Sequence, residues 1–249
     1  MNPIEQFTLE KNKNIQKIAD NQNLQKMSNT WMNSTAPFHY TYNFEWLGRP
    51  IIQYPQDIIA MQEIIWEVKP DLIIETGIAH GGSCIFHASM LAILEKCGCI
   101  EKGHVIAVDI DIREHNRIEI EKHPLASYIT MIQGSSIDNK IVDQVESLAK
   151  NYKRILISLD SNHTHEHVLA ELEAYAHLTS VGSYCVVFDT VVEDMPEDAF
   201  PDRPWGKGNN PKTAVWEYLK SHSEFEINKE IETKLLITVA PDGYLKRIK

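Results

Sequence analysis

Apolar residues follow two alternating patterns along most of the chain. Short apolar runs, typical of strands buried on both faces, alternate with segments in which apolar residues recur every three or four positions, as in helices. The runs that predict strands span residues 71–75, 105–109, 128–133, 154–160 and 183–189. Three helices are predicted to span residues 81–96, 138–150 and 164–178. Two more are predicted to begin at Pro55 and Pro211, and another to end near Lys122. This alternation predicts a doubly wound α/β fold with a mostly parallel sheet.

The N-terminal part departs from this alternation. Residues 1–35 are rich in Asn, Gln and Lys, and Ile15, Leu24 and Trp31 belong to an imperfect helical stripe. The stripe predicts a helix that docks on the body or on a second subunit of a homo-oligomer, with a frayed leader as the alternative. Residues 35–55 are aromatic and interrupted by proline, which predicts a loop that wraps the body.

The C-terminal part predicts a different kind of pairing. Apolar segments on both sides of the Pro241–Gly243 turn signal predict two strands and an antiparallel edge of the sheet. With 249 residues and no internal repeat, the chain is long enough for one domain with a full core. Residues 36–249 are therefore predicted to form that domain.

The charge balance narrows the classes of partner. The net charge of −11 comes from 35 acidic and 24 basic residues, and no basic stripe is present, which argues against nucleic acid. No apolar run approaches the roughly 20 residues of a membrane helix, and the N-terminus lacks the apolar core of a signal peptide. The four cysteines lack zinc-like C-x-x-C spacing and read as reduced thiols. We therefore expect a cytoplasmic protein.

A glycine-rich turn follows the first strand of the alternating region. It reads E-x-G-x-x-x-G-G-S from Glu75 to Ser83, where Ala79 occupies the position of the second glycine of a dinucleotide fingerprint. Gly77 allows close approach of backbone and ligand, and Gly81 precedes a predicted helix. An acid before the first glycine suits the ammonium group of S-adenosylmethionine better than the pyrophosphate of NAD. Glycines that serve turn geometry alone are the alternative.

The ends of the next two strands supply further candidates for this nucleoside site. Asp109 can accept the two ribose hydroxyls, because ligands bind at the carboxyl ends of parallel strands. Ser135 and Ser136 could face the adenine, although serines at such positions also form turns. The predicted cofactor contacts are therefore Glu75, Gly77, Ala79, Gly81, Ser83, Asp109, Ser135 and Ser136.

Two aspartates end the fourth and fifth strands. Neighbouring parallel strands would place Asp160 and Asp189 at the same rim of the sheet, and paired carboxylates suit Mg²⁺. Helix capping is the alternative role for both acids. His163, three residues after Asp160, could remove a proton from an acceptor hydroxyl. His163, His165 and His167 also raise a zinc hydrolase, but the H-x-H-x-D-H signature fails at its last two positions.

These motifs together resemble the cephalosporin hydroxylase-like family of S-adenosylmethionine-dependent O-methyltransferases, which act on antibiotic and rhamnosyl or other sugar hydroxyls. The resemblance rests on the Glu75–Ser83 turn, DIDIREHNR from Asp109, DSNH from Asp160, FDT from Phe188 and WGKGNNP from Trp205. It implies a seven-stranded methyltransferase sheet with Mg²⁺ at Asp160 and Asp189, His163 as the base, and a small-molecule acceptor with a hydroxyl group. It also makes the 205–211 segment an acceptor loop, with Trp205, Lys207 and Asn209 as candidate substrate contacts.

One departure from the family pattern concerns the metal site. The family often has Glu-Asp at the end of the fifth strand, whereas Phe188 stands here in place of the Glu. Thr190, Asn162 or water would then complete the metal shell, or the metal would bind weakly or not at all. Two other functions stay open: a nicotinamide-dependent oxidoreductase, and a non-catalytic binding protein derived from a methyltransferase.

Overall fold

The computed structural model describes residues 2–249 as an α/β fold. The nine strands are β1 Phe44–Trp46, β2 Arg49–Ile51, β3 Leu72–Thr76, β4 His104–Asp109, β5 Ile129–Gln133, β6 Ile155–Leu159, β7 Tyr184–Val187, β8 Phe225–Ile227 and β9 Tyr244–Arg247. The nine α-helices are α1 Pro3–Ala19, α2 Gln22–Thr35, α3 Pro55–Val68, α4 Gly82–Lys96, α5 Glu114–Lys122, α6 Asn139–Ala149, α7 His165–Tyr175, α8 Pro211–Tyr218 and α9 Lys229–Leu235. Each strand and helix predicted between residues 55 and 218 is present, with small shifts at its ends.

Seven of the strands form one sheet in the order β5-β4-β3-β6-β7-β9-β8. The first five are parallel to one another, whereas β9 runs antiparallel to both β7 and β8. This arrangement confirms the predicted doubly wound, mostly parallel sheet. The chain order reverses between β3 and β6, which is where open α/β sheets bind their ligands.

The central strands are buried on both faces, as their uninterrupted apolar runs predicted. All five residues of β3 and of β6 are buried. Alternate residues face opposite sides, so that Ile73 and Leu156 pack in the layer with α3 and α4, whereas Ile74 and Ile157 pack in the layer with α6, α7 and α8. Because helices cover both faces of the sheet, the carboxyl ends of the strands are where a ligand can approach.

The prediction of a strand directly before Pro241 was wrong. The segment that precedes this turn contains α9, whose start is capped by the Asn228 side chain accepting from the Glu230 amide. Ile231 and Leu235 pack on the α3 side of the core at helical rather than alternating spacing. The partner strand of β9 is β8, which comes before α9 in the chain. The turn itself is present, with Asp242 at φ +67°.

Residues 35–55, predicted as a loop, contain a hairpin. Strands β1 and β2 pair across Leu47 and Gly48, which have φ values of +47° and +85° as a tight two-residue hairpin turn requires. The hairpin lies so close to the start of α4 that a side chain at Gly82 would collide with the Pro50 carbonyl. The short strands were not recognised because each supplies only three residues of pattern.

The described part of the leader, residues 2–35, consists largely of two helices, α1 and α2. Ile15 and Met32 are buried, whereas Met27 is exposed. Trp31 meets Tyr40 edge to face with ring centroids 4.9 Å apart, and this contact docks α2 on the body. The docked helix agrees with one of the two alternatives set out for the leader. Within residues 2–249, no helix is both long enough and apolar enough to cross a membrane.

Candidate functional site

A cleft of about 800 Å³ opens at the carboxyl ends of the central strands. Its inner part is formed by the glycine-rich turn after β3 and by the residues that follow β6 and β7. Residues from two further segments, 32–42 and 195–205, also line it. The volume is in the range of pockets that hold small molecules, roughly 300–1,000 Å³.

The glycine-rich turn has a backbone shape that depends on its glycines. Gly77 has φ +91°, and a side chain there would collide with the backbone carbonyl of Asp160. Gly81, at φ +84°, leads directly into α4, whose first residues, Gly82 and Ser83, line the cleft. Ala79 also has a positive φ of +45°. The turn therefore keeps its backbone open toward the cleft.

Two polar residues that sequence reasoning did not identify hold this turn in place. Arg49, from β2, donates through Nη2 to the His80 carbonyl at 2.6 Å and to Asn116 Oδ1 at 3.0 Å. Asn116, from α5, donates in turn to the Ala79 carbonyl at 2.8 Å. Nothing local in the sequence indicates these contacts, because the three segments meet only in the folded protein.

Glu75 lies beneath the turn rather than in the cleft. It is 1% exposed, and its two oxygens are engaged by Ser83 Oγ, which donates to Oε1, and by His87 Nδ1, which lies 2.9 Å from Oε2. Both Glu75 oxygens thus bind other side chains of the protein, and the contact with a cofactor ammonium group stays a prediction. Ser83 and His87 are one helical turn apart on α4, which is the sequence signal that could have identified His87 as a partner.

Asp109 also binds the turn itself. Its Oδ2 accepts from the Ile78 amide at 2.7 Å and from the Ala79 amide at 3.3 Å, and its Oδ1 accepts from the Asp111 amide at 2.9 Å. A carboxylate offers about four acceptor positions. These contacts leave about one for a ribose hydroxyl, fewer than the two predicted.

Ser135 and Ser136 lie beyond the residues that line the cleft. The Ser135 carbonyl accepts from Asp138, which begins α6. Ser136 is buried, and its Oγ lies 3.1 Å from His167 Nε2. The structure therefore gives both serines local contacts, and a role at the adenine stays a prediction.

The three histidines of the H-T-H-E-H segment contact different partners. His163 faces Asp189, His165 Nδ1 lies 2.9 Å from Thr213 Oγ1, and His167 faces Ser136. Because they diverge, they do not form the shared ligand set that a zinc hydrolase would need. The structure thus gives no support to the zinc alternative.

Asp160, His163 and Asp189 come together at the floor of the cleft. One ligand atom from each lies within 4.8 Å of the others, and the three side chains are partly buried. His163 Nε2 is 3.2 Å from Asp189 Oδ2. Burial, and then the charge of Asp189, raise the pKa of Asp160 well above its usual value. Among residues 2–249, neither aspartate forms an ion pair with Lys or Arg, so the acids lack a compensating cation.

The backbone conformation of Asp189 supports the interpretation of Asp160, His163 and Asp189 as a functional site. Asp189 has φ +54°, a left-handed conformation that costs free energy for a residue with a side chain. Gln53 donates weakly to Asp160 Oδ2 at 3.4 Å. An aspartate held in this conformation at the end of a central strand is typical of binding and catalytic sites.

The side chains of Thr190 and Asn162, which were considered as further metal ligands, bind other groups, and Phe188 offers no ligand atom. Phe188 is buried in the core. Thr190 Oγ1 donates to the Pro241 carbonyl at 2.6 Å, and Asn162 Oδ1 accepts from the Thr164 amide at 2.9 Å. His163 is the third side chain that offers a ligand atom within 4.8 Å of those of the two aspartates.

The structure separates the three predicted acceptor contacts. Trp205 lines the cleft and packs edge to face on His163, with ring centroids 4.9 Å apart. Lys207 is exposed outside the cleft lining. Asn209 joins its loop to α7, since its Oδ1 accepts from the His165 amide at 2.9 Å and its Nδ2 donates to the Pro204 carbonyl. Of the three, only Trp205 lies beside the acids.

Comparison with known proteins agrees with this arrangement. The family model described as "Rhamnosyl O-methyltransferase/CmcI" matches residues 38–248. A rhamnosyl O-methyltransferase of Mycobacterium bovis (strain BCG / Pasteur 1173P2) is 31% identical over 193 residues, which cover 77% of this chain and 73% of that protein.

Solved structures share the fold. A structure described as cmcI-D160 with Mg and SAM has a TM-score of 0.56 at 18% identity, covering 84% of this chain and 78% of that one. The apo structure of CalS11, described as a TDP-rhamnose 3'-O-methyltransferase, has a TM-score of 0.53 at 14% identity, covering 77% and 78%. The family match, together with the fold, confirms the resemblance drawn from the motifs and sets aside the nicotinamide alternative. The chain belongs to the rhamnosyl O-methyltransferase/CmcI family and is an S-adenosylmethionine-dependent O-methyltransferase.

Proposed function

We propose that this enzyme transfers a methyl group from S-adenosylmethionine to a sugar hydroxyl, with Asp160, Asp189 and His163 as the central groups. The observation that carries the proposal is the convergence of these three side chains within 4.8 Å, in a cleft that also contains the glycine-rich turn. A methyl donor on the turn and an acceptor in the outer cleft would meet at the two acids. Holding both reactants in line is itself a large source of rate acceleration.

The donor set fits Mg²⁺. Two carboxylates without a Lys or Arg partner in the described part of the chain leave uncompensated negative charge in a partly buried place. Mg²⁺ prefers oxygen ligands and keeps several waters, so Asp160 and Asp189 suffice as protein ligands despite Phe188. When bound there, the ion supplies positive charge that lowers the pKa of an acceptor hydroxyl.

His163 is proposed as the general base. Its ring lies beside the two acids, with Nε2 toward Asp189, and a ring nitrogen would take the proton of the acceptor's hydroxyl. The Asp189 carboxylate, 3.2 Å away, stabilises the imidazolium that results. The edge of Trp205 restricts the orientation of the ring. The deprotonated oxygen would then attack the sulfonium methyl carbon, the bond between that carbon and sulfur would break, and S-adenosylhomocysteine would leave with the electron pair on sulfur.

The proposed donor site is the open backbone of the glycine-rich turn. Gly77, Ala79, Gly81 and Ser83 shape the part that would contact the methionine end, and Asp109 would bind a ribose hydroxyl through its remaining acceptor position. Glu75 acts indirectly, by holding Ser83 and with it the start of α4. The adenine contact predicted for Ser135 and Ser136 has less support, because Ser136 is buried against His167 and Ser135 binds the start of α6.

A cytoplasmic location is part of the proposal. All four cysteines are free thiols in the structure, which is typical of a reducing compartment. The large negative charge supports the expectation that nucleic acid is not a partner. Ile4 and Phe7 on α1 are 76% and 70% exposed, which supports association of the leader with a second copy.

The test is methyl transfer to simple sugars. The full-length protein, incubated with S-adenosylmethionine, Mg²⁺ and methyl rhamnoside, should form S-adenosylhomocysteine and an O-methylated glycoside, and EDTA should stop the reaction. Binding to the proposed Mg²⁺ site is measured with Mn²⁺ as the probe. Asp160→Asn and Asp189→Asn should each weaken Mn²⁺ binding by at least about 10–100-fold, because each removes one proposed ligand. Asn also tolerates the left-handed conformation at position 189.

Asp143→Asn is the matched control, since Asp143 is an exposed acid on α6, far from the cleft. It should bind Mn²⁺ and turn over as the unmodified enzyme does. Metal-independent transfer with unchanged rates in Asp160→Asn and Asp189→Asn would contradict the metal assignment. A protein that binds S-adenosylhomocysteine but methylates no sugar would favour the non-catalytic alternative.

A further inference from the structure

A single carboxylate joins the Trp205 loop, residues 203–210, to the segment that follows β7. Glu193 lies in the short 3₁₀-helix after that strand. Its Oε2 accepts from the Gly208 amide at 2.7 Å and from Asn210 Nδ2 at 2.5 Å. Glu193 therefore fixes the loop to the segment that also contains Asp189.

Asn210 carries this attachment to the residue next to Trp205. Its side chain is fully buried, and its Nδ2 donates to the Gly206 carbonyl at 2.9 Å as well as to Glu193. Its Oδ1 accepts from the Lys212 amide at 3.0 Å, at the start of α8. Both the amide nitrogen and the amide oxygen thus have partners, which leaves the side chain one orientation. Without Glu193, a buried N–H group would lose its acceptor.

The peptide groups on both sides of Trp205 are held from within the loop. Asn209 donates through Nδ2 to the Pro204 carbonyl at 2.8 Å. The backbones of Asn209 and Gly206 exchange two hydrogen bonds of 3.0 Å each. Asn209 Oδ1 accepts from the His165 amide at 2.9 Å, and this bond attaches the loop to the start of α7. The loop therefore has anchors on the segments that follow β6 and β7.

Trp205 depends on these anchors for its place beside His163. The two rings meet edge to face, with centroids 4.9 Å apart and planes at 88°. The Arg203 guanidinium lies 5.2 Å from the centre of the Trp205 ring, but Arg203 belongs to the same loop and gives no attachment to the body. His163 Nε2 faces Asp189 at 3.2 Å. Trp205 and Asp189 thus both restrict the imidazole ring, and a shift of the loop would remove the first restriction.

We propose that Glu193 is a positioning residue for methyl transfer, which holds Trp205 against His163. It does so by fixing the Trp205 loop through Gly208 and Asn210. The inference rests on His163 as the proposed base and adds a residue that does not line the cleft. Misplacement of a reacting group by about 1 Å can cost on the order of 10²-fold in rate. Glu193 acts as a hydrogen-bond acceptor rather than as a charge, because one of its oxygens accepts both bonds.

The first experiment measures methyl transfer by the full-length enzyme with S-adenosylmethionine, Mg²⁺ and methyl rhamnoside. Glu193→Ala should lower kcat by roughly 10- to 100-fold, with unchanged affinity for S-adenosylhomocysteine, because the proposed donor site lies at the glycine-rich turn. Glu193→Gln should recover most of that loss, since its amide oxygen can accept both hydrogen bonds. Glu197→Ala is the matched control, because Glu197 is an exposed acid of the same segment and does not line the cleft.

The kinetic outcomes decide the inference in two ways. An unchanged kcat in Glu193→Ala overturns it. A Glu193→Gln variant as slow as Glu193→Ala also overturns it, because the charge and not the hydrogen bonds would then matter. Equal S-adenosylhomocysteine affinity in all the variants shows that they are folded.

The second experiment observes Trp205 directly and needs no methyl transfer. The protein labelled with 5-fluorotryptophan has a ¹⁹F resonance for each of its five tryptophans, and Trp205→Phe identifies the one that belongs to Trp205. Glu193→Ala should shift or broaden this resonance and leave the others in place, whereas Glu193→Gln should leave all of them in place. A Trp205 resonance that does not change in Glu193→Ala overturns the inference.

Failure of the proposed function gives a different result. If His163→Ala kept the kcat of the unmodified enzyme, His163 would not be the base, and Glu193 would have no part in the chemistry through it. The ¹⁹F resonance would still show whether Glu193 holds Trp205 in place.

Discussion

Two acid–histidine pairs lie close to each other in this enzyme and serve different ends. Glu75 and His87 are 2.9 Å apart with side chains 2% and 3% exposed, whereas Asp189 and His163 are 3.2 Å apart with side chains 35% and 20% exposed. The first pair has Ser83 as a further partner and is closed off beneath the turn. The second opens into the cleft beside another acid. Burial and saturation of hydrogen bonds, not residue type, distinguish the enclosed pair from the pair that we propose to be reactive.

The largest expected effect comes from the open pair. His163→Ala should lower kcat by roughly 10²–10⁴-fold, the range typical of a lost general base, with little change in S-adenosylhomocysteine affinity. Stopped assays of methyl transfer and calorimetric titration measure the two quantities. His115→Ala, at an exposed position on α5, is the control and should behave as the unmodified enzyme. An unchanged kcat in His163→Ala would show that the open pair is not reactive.

Asp57 extends the comparison to a buried acid without a histidine. It is fully buried, accepting from Thr238, from the Val239 amide at 2.9 Å and from Tyr244 at 2.8 Å, and burial raises its pKa to about 6. The folded protein therefore keeps this proton between pH 3.8 and about 6, where the unfolded chain releases it. Stability should fall as the pH rises through that window, by about 3 kcal/mol from this group.

Urea unfolding of the unmodified protein and of Asp57→Asn, between pH 4 and 7, measures this contribution as a difference. As the pH rises to about 6, the unmodified protein should lose stability relative to Asp57→Asn. Above that pH the difference between their free energies of unfolding should stay constant. Asp143→Asn, which removes an exposed acid, should give a difference nearly independent of pH. If the difference in the free energy of unfolding between Asp57→Asn and the unmodified protein did not change with pH, the hydrogen bonds would fully offset the cost of burying the charge.

The smallest expected effect concerns the closed pair. Glu75→Gln keeps the shape of the side chain but leaves His87 and Ser83 with a weaker partner, and should lower the free energy of unfolding by about 1–3 kcal/mol. The affinity for S-adenosylhomocysteine should change little, because Glu75 does not reach the cleft. Denaturant unfolding and calorimetric titration separate these results. A large loss of affinity with unchanged stability would identify Glu75 as a cofactor ligand and remove the contrast between the pairs.

The sequence allowed much of the fold and the centre of the site to be predicted. The apolar runs identified the five parallel strands, and the positions of Asp160 and Asp189 directly after neighbouring strands predicted their meeting at one rim. Local signals failed where contacts join distant segments: Arg49 and Asn116 hold the turn from a hairpin and a helix. The family resemblance named Asn209 as a candidate acceptor contact, and only the fold showed that its side chain joins its own loop to α7.

What the sequence determined by itself is the alternation of strands and helices, because burial on both faces of a parallel sheet requires continuous apolar runs. It also determined which acids follow those strands. Only the tertiary structure decided that Glu75 is enclosed while Asp189 is open, and that the end of the leader lines the same cleft as the loop after β7. Access to water depends on which distant segments cover a side chain, and no local pattern records that.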